Sequence, residues 1–266
     1  MSVRANLTTL RYATAAGWAD FAVVYTWRTW TAGWLTRVLC QVAFFALIGR
    51  LLGSAERTQF LLVGNAALIA AVESCFVCAS TTWERRAGTL PLLVAAPASP
   101  LLVFAGRSTF WMASGTSTAS IALFALAPLF GVPLPWPRAL FAVPLIAAVS
   151  AATYCFALFV AGFVLRAMET RNVAGNLAHL SLMVLCGVQV PVTFWPGWVQ
   201  AVAGVLPVNH GLAGLRTLLA GGPWPDVGRG LALELLVGLG WLVVAAVTFR
   251  RFAEHGRRDG SIEFGD

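Results

Sequence analysis

The chain has 266 residues, 59% hydrophobic and 11% charged, with a mean hydropathy of +0.78 and a formal net charge of +7. Soluble domains carry about 25% charged residues, and a soluble fold of this size cannot hide so much apolar surface, so the composition excludes a soluble domain and indicates an all-α polytopic membrane protein. Every basic side chain apart from three histidines is arginine; the positive-inside rule explains that excess, and no nucleic-acid partner is expected.

Residues 1–32 contain Arg4, Arg11, Asp20 and Arg28 and no uninterrupted apolar stretch, so no cleavable signal peptide is read there. Residues 5–31 are amphipathic. Trp18, Phe21 and Tyr25 recur at helical spacing, with Asp20, Arg28 and Thr31 off that stripe, which predicts a helix lying in the membrane interface. A spanning helix needs about 20 apolar residues, and six are predicted, over 33–52, 60–82, 101–128, 139–165, 173–192 and 230–249. Arg37 and Arg50 stand near the ends of the first, where long side chains reach the headgroups.

The second span carries Asn65 and, midway, Glu73. A carboxyl at that depth is expensive and is expected to line a substrate path or to hydrogen-bond a neighbouring helix. Ser114, Gly115, Thr116, Ser117, Thr118 and Ser120 crowd the third span and predict close helix packing with side chains bonded back to the helix. Pro128, Pro133, Pro135 and Pro137 make a rigid loop around Trp136, and Arg166, Glu169, Arg171 and Asn172 a polar turn. The fifth span carries Asn176, His179 and Gln189. Asn176 and His179 share a helix face, but no second His or Cys stands at helical spacing, so polar contacts between helices are expected there and no metal site. Cys75 and Cys78 form a CxxC inside the second span, without a charged neighbour of the metal-ligand kind, and read as packing residues.

Residues 193–228 break the pattern. Phe194-Trp195-Pro196-Gly197-Trp198, Pro207-Val208-Asn209-His210-Gly211 and Gly221-Gly222-Pro223-Trp224-Pro225 bound two apolar pieces too short to span, which predicts a re-entrant hairpin. Glu234 falls near the outer end of the sixth span and reads as interfacial. Six spans put both termini on one side. If that side is the cytoplasm, Arg50, Arg57, Arg138, Arg216 and Arg229 lie outside and the other arginines inside, the bias expected of a bacterial inner-membrane protein with cytoplasmic termini. Residues 83–100 are then cytoplasmic and 193–228 external. No internal repeat is visible, which weighs against an inverted-repeat transporter.

The chain resembles the permease subunit of type-2 ABC exporters, the group that includes drug, lipooligosaccharide and polysaccharide exporters. Three features carry the resemblance: the amphipathic helix before the first span; the loop Glu84-Arg85-Arg86-Ala87-Gly88-Thr89-Leu90, followed by Leu92-Leu93 and Pro97-Ala98-Ser99-Pro100; and the external segment with Pro191, Pro196 and Trp198, then Leu206-Pro207 and Arg216. Arg86 departs from the pattern, since many members carry a second acidic residue there. The resemblance implies a coupling helix at 83–100 that rides on an ATPase, using Glu84, Arg85, Arg86, Gly88, Thr89, Leu90, Leu92 and Leu93. It also implies an external gate, to which Trp195, Trp198, Pro207, Asn209 and His210 belong, and a substrate path for which Asn65, Glu73, Asn176, His179 and Gln189 are the candidates.

The implied partners are an ATP-binding cassette ATPase holding ATP and Mg, a second permease copy (identical or related) and the lipid bilayer. With no lysine, the chain has no GxxxxGK[ST] loop of its own, so it is expected to be a transport subunit without catalytic groups or cofactors. The expected cargo is hydrophobic or amphipathic: a drug, natural product or lipid-like molecule. The alternatives are export of a lipid-linked glycan or polysaccharide, proton-coupled transport through Glu73, and an enzyme acting on a lipid-linked substrate. The last needs convergent acid–base groups, whereas His179, His210, Glu73 and Glu234 are scattered by depth.

Overall fold

Where no water reaches the backbone, every N–H and C=O must be satisfied within the segment, and apolar runs fold as helices. The computed structural model describes residues 3–80, 99–165 and 171–259, and they contain no strand. Among them run nine helices: α1 (Val3–Val24), α2 (Trp27–Leu51), α3 (Ala55–Ser80), α4 (Pro100–Leu129), α5 (Arg138–Val164), α6 (Arg171–Leu185), α7 (Gly197–Val205), α8 (Asn209–Leu219) and α9 (Trp224–Asp259). Helices α2, α3, α4, α5 and α9 are long and apolar enough to cross a membrane. Helix α6 has 15 residues, about 22 Å of rise against a hydrocarbon core of about 30 Å. The protein is thus an all-α polytopic membrane protein.

Helix α3 is the axis of the bundle. It is buried all round: every residue from Leu61 to Ala71 is buried. It packs against α2, α4, α5, α6 and α8. Hydroxyl groups tie the central helices together. Ser74 on α3 lies 2.9 Å from Ser150 on α5, which donates at 2.9 Å to the Met112 carbonyl of α4. Tyr154 of α5 reaches Ser108 at 2.7 Å. The hydroxyl-rich stretch of α4 bonds back on itself, Thr116 to Met112 O and Ser120 to Thr116 O. Helix α9 packs on α5 and α8 with one face; its other face exposes Leu235, Leu236, Leu239, Val243 and Val247.

Several boundaries differ from the expected ones. The amphipathic helix stops at Val24, short of residue 31, because Thr26 and Thr29 form a reciprocal capping box that starts a new helix at Trp27. Trp27, Trp30 and Trp34 therefore belong to the first span, which opens through a π-turn at Trp30–Leu35. The stripe Trp18, Phe21 and Tyr25 does not face headgroups alone: Phe21 stacks on Phe110 of α4 with ring centroids 4.9 Å apart, and Asp20 pairs with Arg107 at 2.7 Å. Helix α6 ends at Leu185 instead of running to 192, since Gly187 takes the left-handed φ of +77° that closes a helix. The last span starts at Trp224, six residues before the expected 230.

The expected coupling helix, with Glu84, Arg85, Arg86, Gly88, Thr89, Leu90, Leu92 and Leu93, lies outside the described residues apart from Ser99 and Pro100, the N-cap and first residue of α4.

Candidate functional site: the re-entrant hairpin and the polar groups of the bundle

Proline and glycine at 191, 196, 207 and 221–223 cut residues 191–223 into two short helices, α7 of nine residues and α8 of eleven. Their junction, Leu206–Val208, points into the bundle. Helix ends at that depth leave orphan N–H and C=O groups with no water to meet them. Side chains meet them instead. Glu234 of α9 accepts from the Val208 N–H at 2.7 Å (Oε1) and from the Gly211 N–H at 2.8 Å (Oε2), capping α8. Trp241 Nε1 of α9 donates to the Val205 carbonyl at 2.8 Å, and His210 Nε2 donates to the Gly204 carbonyl at 2.9 Å, closing α7.

Glu234 is thus no interfacial group. It is fully buried and lies ten residues beyond Trp224, about 15 Å along the helix. The turn it caps is strained: Val208 has φ +84° and ψ −43°, close to the γ-turn region that a β-branched residue avoids. Such a conformation costs about 1–3 kcal/mol and persists only when its surroundings hold it.

The other end of α8 is held by Arg216. Its guanidinium lies 3.6 Å from the Phe60 ring centroid on α3 and donates at 3.2 Å to the Phe60 carbonyl. Gly64 makes room for it: a Cβ there would stand 3.0 Å from Arg216 Nη2 and 2.5 Å from the Val188 carbonyl. At the next residue along α3, Gln189 Nε2 donates to Asn65 Oδ1 at 3.1 Å, and Asn65 in turn donates to Leu61 O at 2.8 Å. Two of the five expected substrate-path residues therefore meet each other, beside the hairpin. Asn65→Leu alone should destabilise the protein by about 1–2 kcal/mol, since it strands the Gln189 amide, whereas Asn65→Leu with Gln189→Leu should be near neutral. A thermal-unfolding double-mutant cycle reads the difference.

Glu73 stands apart from that pair, eight residues or about 12 Å further along α3. Because α3 begins at Ala55 instead of 60 and ends at Ser80, Glu73 lies in the half of the helix next to residues 81–98, not midway. The carboxyl is fully buried. Trp34 Nε1 of α2 donates to its Oε1 at 2.9 Å, and the Thr118 hydroxyl of α4 donates to the same oxygen. Arg37 lies over the Trp34 ring at 5.0 Å. Phe76 and Trp111 stack beside this cluster, and Tyr25 reaches it from the α1–α2 junction. Burial first, and the Glu73 carboxyl second, push the Tyr25 phenol above its usual range. Glu73 therefore joins α2, α3 and α4.

On α6, Asn176 is exposed and His179 half-buried, its Nε2 enclosed and without a hydrogen-bond partner among the described residues. Of the expected gate residues, Trp198 is exposed on α7, Trp195 stacks on Phe194, Pro207 is buried in the turn, Asn209 opens α8, and His210 closes α7. Cys75 and Cys78 are buried, with the Cys78 thiol 3.4 Å from the Ala157 carbonyl. Sequence reasoning missed Glu234 and Trp241 as parts of the hairpin, and Trp34 and Thr118 as partners of Glu73. The signal present was the spacing Gly230, Glu234 and Trp241 on one face of an apolar helix. Chemically the arrangement positions and anchors helices; among the described residues no three acid, imidazole or thiol groups gather as a metal site would need.

Comparison with curated proteins and with solved structures gives no match. The family model described as ABC-2 type transporter matches residues 18–220, from α1 to the end of the hairpin, and the chain belongs to that family, as a type-2 ABC permease subunit.

Proposed function

We propose that this chain is the membrane-spanning subunit of an ATP-driven exporter that moves a hydrophobic or amphipathic molecule out of the cytoplasm or the inner leaflet. The observation that carries the reading is the hairpin α7–α8, dipped into the bundle and capped from α9, in a member of the ABC-2 family. A buried turn whose free N–H groups are capped by a side chain of another helix can seal a path from one side. Two permease copies surround the path, and two ATPases below bind ATP and Mg. Closure of the ATPases pushes the loop 83–100; the bundle rocks, and the hairpin opens outward. Glu73 is placed to pass that motion on, since it links α2 and α4 to the helix that leads into the loop. An apolar bundle with few charges favours drug-like or lipid-like cargo over a long glycan.

The reading is tested by purifying the tagged chain from its native host in mild detergent. The expected result is co-elution of a polypeptide with a Walker A motif, in equal amount, and ATP hydrolysis by the complex. Elution without any ATPase, together with transport driven by a pH gradient through this chain alone, would establish the proton-coupled alternative.

A further inference from the structure

The two halves of the hairpin are held very differently. Helix α8 buries six of its eleven residues. One end is capped by Glu234 of α9 and the other is pinned to α3 by Arg216. Gly230 of α9 approaches the same helix so closely that a Cβ would stand 2.9 Å from Gly214 Cα. Helix α7 buries only Val199 and Ala203, and Trp198 and Val205 are largely exposed. Its side-chain anchors, from His210 and Trp241, both act on its last two carbonyls, at the base. Between the halves stands Val208, at a φ that a valine does not adopt unaided.

From this we infer that the turn at Val208 is a hinge, latched by the two hydrogen bonds to Glu234, about which α7 moves while α8 stays fixed to the spans. Helix α7 is nine residues long, about 13 Å at 1.5 Å per residue, so a swing at its base carries Trp198 several ångströms. Glu234 is a positioning residue. Both of its carboxyl oxygens accept, and the two N–H groups they hold keep Val208 in its strained conformation. Glutamine presents one oxygen and one N–H₂, so one of the two backbone donors then faces another donor. The latch loosens, and Val208 relaxes toward ordinary dihedrals. Glycine at 208 needs no such restraint. That the swing opens an exit path rests on the exporter reading, whereas the hinge is a property of this chain alone.

The test measures distances between spin labels in the full chain in lipid nanodiscs, without an ATPase, with Cys40 and Cys155 replaced by alanine. One label replaces Leu129 at the end of α4; the other replaces either Ala201 on α7 or Ala213 on α8, all exposed positions. Glu234→Gln should shift and broaden the 201–129 distribution and leave the 213–129 distribution unchanged, and adding Val208→Gly should restore the first. Equal changes in both pairs, or no change in either, would overturn the hinge. If Glu234→Gln yields aggregated protein, recovery of monodisperse chain on adding Val208→Gly supports the proposal, and aggregation of both variants refutes it. Because no ATPase is present, failure of the exporter reading leaves these outcomes intact.

Discussion

Gly230→Val should destabilise the protein by on the order of 3 kcal/mol and lower its melting midpoint in detergent by on the order of 10 °C. Gly230 sits where α8 and α9 touch through backbone: a Cβ would stand 2.9 Å from both Gly214 Cα and the His210 carbonyl oxygen. Backbone on the far side cannot rotate out of the way, so α8 must move off α9. Glu234 lies one turn further along the same helix face. The displacement therefore also draws the Val208 and Gly211 N–H groups away from its carboxylate. Overpacking a tight contact costs about 1–3 kcal/mol, and each buried donor left unpaired adds about 1–3 kcal/mol. Gly230→Ala should fall between the wild type and the valine variant. A valine variant that melts like the wild type would show that the α8–α9 contact is looser than described.

The second large effect is expected in transport, not in stability. Glu84→Ala with Gly88→Val should cut substrate-stimulated ATP hydrolysis by about tenfold, since coupling free energies between linked sites are about 1–3 kcal/mol. The physical reason is sequence-level. If residues 83–100 form the proposed coupling helix, Glu84 would complement the dipole at its start, Gly88 would permit close backbone approach, and Leu90, Leu92 and Leu93 would offer an apolar ridge for a partner groove. Basal hydrolysis by the ATPase should persist, because the substituted loop carries no nucleotide-binding group. Comparing hydrolysis with and without transported substrate separates the two. Unchanged stimulation would remove the coupling role from residues 83–100.

How much of this was legible from sequence differs from place to place. The membrane class follows from 59% hydrophobic residues, and the hairpin from prolines and glycines that cut an apolar stretch into pieces too short to span. The Trp18, Phe21, Tyr25 stripe was visible as periodicity, but its packing partner on α4 was not, because periodicity shows a face and not what covers it. Glu234 was misplaced for a geometric reason. Its depth depends on where the last helix starts, and Trp224-Pro225 reads as the end of a loop when it is the first turn of a helix. Glu73 was displaced likewise: the helix starts at Ala55, five residues before the expected 60, so its midpoint falls well short of residue 73. Asn65 and Gln189 are 124 positions apart, and nothing local in either segment announces their contact. The capping of the hairpin by α9 is also long-range, Val208 and Glu234 being 26 positions apart.

The most direct measurement of the exporter account is ATP-driven transport in proteoliposomes containing only this chain and its ATPase. A panel of fluorescent amphipathic molecules and headgroup-labelled lipids serves as cargo. The account predicts that at least one of them crosses to the side bearing the hairpin when Mg-ATP is supplied, that a non-hydrolysable analogue does not support the movement, and that dissipating the proton gradient leaves it unchanged. Movement driven by a pH gradient with the ATPase omitted would contradict it.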